Sequence, residues 1–316
     1  MTFTEEERQK AIELQPPGLD IGIYFGLDEA IYHADPALNY SGMKLILEDP
    51  EEYWQHYLSP KREKWVPSEE QKMGTRLHRY LLEPEEFRKN YAVLPFDDAG
   101  DGREWLTSSE FEKIKAMAER IQLVPDVNKY ITNGFSEVTI VWKCPFTGIR
   151  CRARHDYFRT MLTLDYKTIN DLRHGTMLRN QRSFGYDVQA YHYSQSRRWL
   201  KTLLQSLRQQ DPEGTEGLIN DYIYIDEDSQ VTTEWMYKLI DMPHDQFYFL
   251  FQKKKPPYSV KTIWYDEGTY QDAERDVNHA KAEYIKYMAK FGTEQWLNSG
   301  EAEEWSIRYG SVKPRG

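Results

Sequence analysis

Asp165 and Lys167 stand two apart in the run Leu164-Asp165-Tyr166-Lys167-Thr168. On a strand such residues project to the same side, so a carboxylate and an amine share one face about 7 Å apart while Tyr166 turns away. Alone, the pair is a solvated ion pair worth at most about 1 kcal/mol. Its neighbours add weight. Ser136–Cys144 (SEVTIVWKC) and Ile149–Phe158 both alternate polar with apolar residues around the turn signal Pro145-Phe146-Thr147-Gly148, the pattern of a β-hairpin. A turn centred between Phe146 and Thr147 sets Lys143 against Arg150, Val141 against Arg152, Thr139 against Arg154 and Glu137 against Asp156. Two facing carboxylates repel unless a cation lies between them, and a divalent ion is the usual resolution. Oxygen ligands from Glu137, Asp156 and Asp165, with positions left for water and phosphate, suit Mg²⁺, with Mn²⁺ as a substitute. Arg150, Arg152 and Arg154 lead along the same face to Asp156 and would bring phosphate-attracting charge beside the ion. The competing reading is an arginine-rich exposed strand, and a one-residue bulge would turn Asp156 to the other face.

The elements that must position these groups read as a mixed α/β core with helical additions. Ser41 can cap a helix through Met43, Ile46 and Leu47, which Pro50 breaks or restarts before Tyr53, Trp54 and Tyr57. A second helix carries Met73, Leu77, Tyr80 and Leu81, and a third runs from a Ser108 or Ser109 cap to Pro125. After the short strand at 162–167 the pattern predicts one long helix over about 176–207 and strands at 218–225 and 232–240. Helices at 245–255 and 269–296 follow. Segments 96–102, 209–216 and 310–316 read as loops and a tail. One domain spans residues 1–316, with its motif-bearing core at about 70–225, a helical N-terminal segment at 1–70 and a C-terminal elaboration at 226–316.

Composition excludes several classes. With 316 residues, 40% hydrophobic and 29% charged, the chain can close a sizeable core and is neither fibrous nor disordered. A net charge of −10 removes a uniformly basic surface, so nucleic acid must be met by a local basic channel. No apolar run approaches the roughly 20 residues that cross a bilayer, and Met1–Gln15 is charged with no signal core, so the expectation is a cytoplasmic chain with no membrane partner. Cys144 and Cys151 are too few for a four-cysteine zinc or iron–sulfur site, and reduced thiols are expected. No P-loop is present, so ATP is not expected as a cofactor.

Glu137, the strand from Gly148 to Asp156, and Leu164-Asp165-Tyr166-Lys167-Thr168 together resemble the core of the PD-(D/E)XK nuclease superfamily. Further stretches resemble the RecE-type exonucleases, the exodeoxyribonuclease VIII family of phages and prophages. They are Tyr32-His33-Ala34-Asp35, Tyr40-Ser41-Gly42-Met43-Lys44, Asp49-Pro50-Glu51-Glu52-Tyr53, Met73-Gly74-Thr75-Arg76-Leu77-His78 with Leu82-Glu83-Pro84-Glu85-Glu86-Phe87, and Gly185-Tyr186-Asp187-Val188-Gln189-Ala190-Tyr191-His192-Tyr193. The resemblance spans about residues 20–200. It implies a restriction-endonuclease-like mixed sheet flanked by helices. It also implies His78, Asp156 and Asp165 as metal ligands, Lys167 as the group that orients or activates the attacking water, and Glu137 as a further ligand or a group behind them. Gln189, Tyr193 and Tyr186 would share one helix face with Arg182, positioning a DNA strand, with Arg152 and Arg154 in the channel. The implied activity is Mg²⁺-dependent hydrolysis of linear double-stranded DNA from its ends, 5′-to-3′. The implied setting is a homo-oligomeric ring, a tetramer, in a bacterial host's cytoplasm, supplying single strands to an annealing recombinase in phage-type recombination. An endonuclease of the same fold and a catalytically idle DNA-end-binding module are the alternatives.

Overall fold

The computed structural model describes residues 3–62, 68–95, 97, 102–213, 217–225, 231–242 and 245–298. Its helices are α1 (Glu5–Leu14), α2 (Glu29–Ala34), α3 (Tyr40–Glu48), α4 (Pro50–Tyr53), α5 (Glu69–Leu82), α6 (Pro84–Asn90), α7 (Ser108–Gln122), α8 (Pro125–Asn128), α9 (His174–Phe184), α10 (Tyr186–Gln210), α11 (Thr233–Asp241) and α12 (Glu267–Phe291). Its strands are β1 (Gly22–Phe25), β2 (Tyr91–Val93), β3 (Glu104–Leu106), β4 (Phe135–Lys143), β5 (Arg150–Phe158), β6 (Leu162–Ile169), β7 (Ile223–Ile225), β8 (Gln246–Lys253) and β9 (Val260–Ile263). The predicted loop at 96–102 lies outside the described residues save Asp97 and Gly102, as does all of the tail at 310–316 and the end of the loop at 209–216.

Seven strands form one mixed sheet in the order β7-β1-β4-β5-β6-β8-β9, with β4-β5-β6 an antiparallel meander and β6 parallel to β8. The hairpin register is the one expected: Lys143 faces Arg150, Val141 faces Arg152 and Thr139 faces Arg154. Gly148 closes the turn at φ +74°, a conformation open to a residue without Cβ. Helices cover both faces, the arrangement a sheet needs when both its sides are apolar. On one side α10 and α12 pack Val188, Leu200, Ala280 and Ile285 against Ile140, Trp142, Ala153, Phe247, Phe249 and Phe251. On the other, α5 and α7 pack Leu77, Ile114, Met117 and Ile121 against Leu164, Tyr166, Tyr248 and Leu250.

Four expectations are corrected. Residues 245–255 form strand β8, because Phe247-Tyr248-Phe249-Leu250-Phe251 is buried on both faces and a doubly covered parallel strand carries no alternation to betray it. Residues 232–240 form helix α11, capped by Thr232, with Met236 and Leu239 three apart on its buried side. Of 218–225, only Ile223–Ile225 is strand, and Leu218–Tyr222 is a short 3₁₀ turn. The long helix at 176–207 is two, parted at Gly185 in the left-handed conformation, φ +63°. The sheet draws strands from both sides of the motif-bearing stretch at 70–225. The N-terminal segment inserts β1 between β7 and β4, and β8 and β9 come from beyond 225. Cys144 and Cys151 are both buried free thiols.

Candidate active site

The acidic residues sit where the ladders of the meander part. The β4–β5 pairing runs from Lys143 with Arg150 to Val138 with His155, resumes at Ser136 with Tyr157, and omits Glu137 opposite Asp156. Glu137 occupies the left-handed region, φ +51°, a strained position for a residue bearing a Cβ and one that clusters at functional sites. The β5–β6 pairing stops at Tyr157 with Leu164, one step short of Asp156 against Asp165. Instead of a ladder carbonyl, Asp156 Oδ2 accepts the Tyr166 N–H at 2.8 Å. Facing carboxylates that would repel across a closed ladder thus line an opening.

Helix α5 brings His78 over that opening. Its Nε2 lies 3.2 Å from Glu137 Oε1 and 3.6 Å from Asp156 Oδ2, and its Nδ1 lies 3.7 Å from Glu83 Oε2. Arg76, two residues earlier and buried, pairs with Glu104 and, at 3.2 Å, with Glu110, tying α5 to β3 and α7. Burial disfavours a charged His78, but the carboxylates of Glu137, Asp156 and Glu83 outweigh it and raise the imidazole to about 9. Burial raises Asp156, against the pull of His78 and Lys167.

Asp165 lies at the floor, almost fully buried, gripped from both sides. Its Oδ1 accepts the Gln189 amide at 2.6 Å and its Oδ2 meets Lys167 Nζ at 2.7 Å. Burial and the Asp156 charge raise Asp165 to about 7, with Lys167 and Gln189 opposing. Burial works against the Lys167 ammonium, but Asp165 and Asp156 overcome it and hold Lys167 well above its usual range.

A hard divalent cation fits this donor set. His78 Nε2 is a buried nitrogen without a hydrogen bond, aimed at two carboxylates, and His78, Glu83 and Glu137 offer ligand atoms within 4.8 Å of one another. Glu83 was not among the expected ligands. Its signal in the sequence is its place five residues after His78, where Pro84 starts the next helix and turns the C-cap of α5 back toward the imidazole.

The expected DNA contacts separate into different places. Arg152 has no exposed surface: its guanidinium donates to the carbonyls of Ala37 (3.1 Å) and Tyr32, lies 3.8 Å from Asp35 and stacks over the Tyr32 ring. It is a core residue that fastens the N-terminal segment to β5, not a channel arginine. Arg154 donates to Glu137 and sits behind the acidic opening. Gln189 is buried on Asp165, and Tyr193 is buried edge-on to Phe247, so neither lies on a surface that a strand could reach. Tyr186 packs over Phe249 and Phe251 with Lys167 Nζ 5.7 Å from its ring. Arg182 is exposed on α9, across the Gly185 break, and does not extend the α10 row.

Among the described residues no helix is long and apolar enough to cross a membrane. Similarity agrees with the fold. A crystal structure of a candidate exonuclease from Eubacterium rectale is 16% identical and covers 83% of this chain and 87% of its own, with a TM-score of 0.50. No curated protein matches in sequence. The family described as "PDDEXK-like domain of unknown function (DUF3799)" matches residues 40–202, just over half of the chain and the stretch that holds every residue of the opening, and to that PD-(D/E)XK-like family the chain belongs.

Proposed function

We propose that the chain is a divalent-metal-dependent deoxyribonuclease that hydrolyses linear double-stranded DNA from its ends. The observation that carries this reading is the gathering of His78, Glu137 and Asp156 beside the Asp165–Lys167 pair where β4, β5 and β6 part. His78, Glu137 and Asp156, with Asp165 beneath and Glu83 behind, would hold the ion. When bound, a divalent cation polarises phosphoryl oxygens and lowers the pKa of the attacking water. Gln189 fixes the direction of Asp165 through its amide. Lys167, kept cationic by Asp165 and Asp156, stabilises negative charge that builds on the phosphoryl and leaving oxygens. The acidic opening repels a polyanion until a cation offsets it, which couples substrate binding to metal loading.

Action from ends is supported by the resemblance to RecE-type enzymes, and the structural relative from Eubacterium rectale carries the same description of exonuclease. That resemblance also supports 5′-to-3′ digestion, a tetrameric ring, delivery of single strands to an annealing recombinase and work in a bacterial cytoplasm. The decisive experiment follows nucleotide release from end-labelled linear duplex and from closed circles, with Mg²⁺, Mn²⁺ or chelator. Linear DNA should be consumed in either metal and circles spared, and Asp165→Asn should abolish release while folding and oligomer size stay the same. Circles cut at the same rate would replace this reading with an endonuclease. Binding of ends without release in either metal would leave only a DNA-binding module.

A further inference from the structure

We propose that Phe184, at the end of α9, is a stacking platform for an unpaired base at the DNA end, set beside the amine of Lys167. The proposal rests on the nuclease reading above and adds the form of end that the site receives. Residues two apart on one helix point about 200° from each other and cannot touch. Phe184 and Tyr186 nevertheless stack, 5.5 Å between centroids and 26° between planes, because Gly185 turns through the left-handed region between them. Lys167 Nζ stands 5.7 Å from the Tyr186 ring, so the two rings form a short stair that starts at the catalytic pair. The lower ring is packed on Phe249 and Phe251, whereas Phe184 at the top is 48% exposed.

A single exposed aromatic needs no explanation by itself, but this one is fixed in place, with a lysine beside its ring and two arginines on the other side of its helix. Tyr40 donates its hydroxyl to the Phe184 carbonyl, and Lys44 Nζ lies 5.8 Å from the ring, so α3 holds the residue from behind. Helix α9 carries His174, Arg179 and Arg182 and no carboxylate, in a chain whose net charge is −10. Arg179 and Arg182 are exposed, and among the described residues neither pairs with an acid. A pre-set ring with cations along its helix matches a nucleic-acid strand, whose bases stack and whose phosphates attract. It matches an apolar protein partner less well, since only Leu178 adds exposed apolar surface on the same helix. Because every base has a π-face, the platform would favour frayed or overhanging ends without a sequence preference.

The test uses short duplexes with 2-aminopurine as the terminal base, blunt or in a single-stranded overhang, titrated in Ca²⁺ against the parent, Phe184→Ala and Phe184→Trp. The parent should quench the overhanging 2-aminopurine. Phe184→Ala should bind the overhang about tenfold more weakly without quenching, and Phe184→Trp should restore both. Thermal melting should be alike in all three, since the ring is half exposed. Equal affinity and equal fluorescence in Phe184→Ala overturn the platform while leaving the nuclease reading intact. So does a change in oligomer size with DNA binding untouched, which would make the ring a contact between copies. Failure of all three proteins to bind any duplex overturns both readings.

Discussion

Gln189→Met is the sharpest single perturbation of the site, because two readings of Gln189 give opposite kinetic results. Its amide donates at 2.6 Å to Asp165 Oδ1, in a place closed to solvent. Methionine keeps the bulk and the flexible stem and removes the donor. The loss is one hydrogen bond to a carboxylate, about 1.5–3 kcal/mol of folding stability, which a fall in the urea midpoint reports. The larger consequence is directional. With one of its two clamps gone, Asp165 can swing with Lys167, and the loss of groups that orient metal ligands costs about 10- to 100-fold in activity or metal affinity. The expected result, from initial rates on linear duplex over a range of DNA and Mg²⁺ concentrations, is a kcat lower by that factor, a higher Mg²⁺ requirement and an unchanged KM for DNA. An unchanged kcat with a raised KM would refute the reasoning. It would mean that Gln189 meets the DNA and that its bond to Asp165 is incidental.

Two further outcomes follow from buried groups outside the opening. Arg152→Met should lower stability by about 2 kcal/mol, since it leaves the buried Ala37 carbonyl without its guanidinium donor and takes one donor from the Tyr32 carbonyl while Asp35 keeps Arg150, and should leave the salt dependence of DNA binding unchanged; a slope shallower by about one would show a phosphate contact instead. His192 and His155 are kept neutral: burial first, then the nearby cations Lys281 and Arg152, push His192 down to about 3, and burial and Arg197 push His155 well below its usual range. A depressed histidine gives stability that is present above its unfolded value near 6.5 and lost as pH falls toward the folded value. Urea stability should therefore fall below about pH 6.5 by up to about 1.4 kcal/mol per pH unit for each histidine; Asp165, raised to about 7, acts the other way over the same window, so the histidine share is read as the parent minus His192→Gln, and a difference that stays constant from pH 7 to 5 would count against it.

How much the sequence revealed depends on the length scale of the signal. The β4–β5 register followed from alternation and one turn, both local, and the structure repeats it pair for pair up to Val138. Asp165 and Lys167 lie on β6 with their neighbours as strand periodicity requires. Strand β8 was invisible because burial on both faces erases alternation, and an aromatic run of that kind also fits a buried helix. The arginines misled for a related reason. Alternation reports which face a side chain takes and not whether that face meets water, and the face shared by Arg152 is closed by the loop before α3. The conformation of Glu137 could not be read either, since left-handed glutamate has no marker in composition.

Strand β6 takes its far neighbour, β8, from chain that begins some eighty positions later, along eight parallel pairs from Leu162 to Ile169. During synthesis the edge bearing Asp165 and Lys167 therefore waits uncovered until Lys253 has emerged. A fragment that ends before β8 would keep that edge bare, so Asp165 and Lys167 are seated in a finished sheet only once the later strand is present.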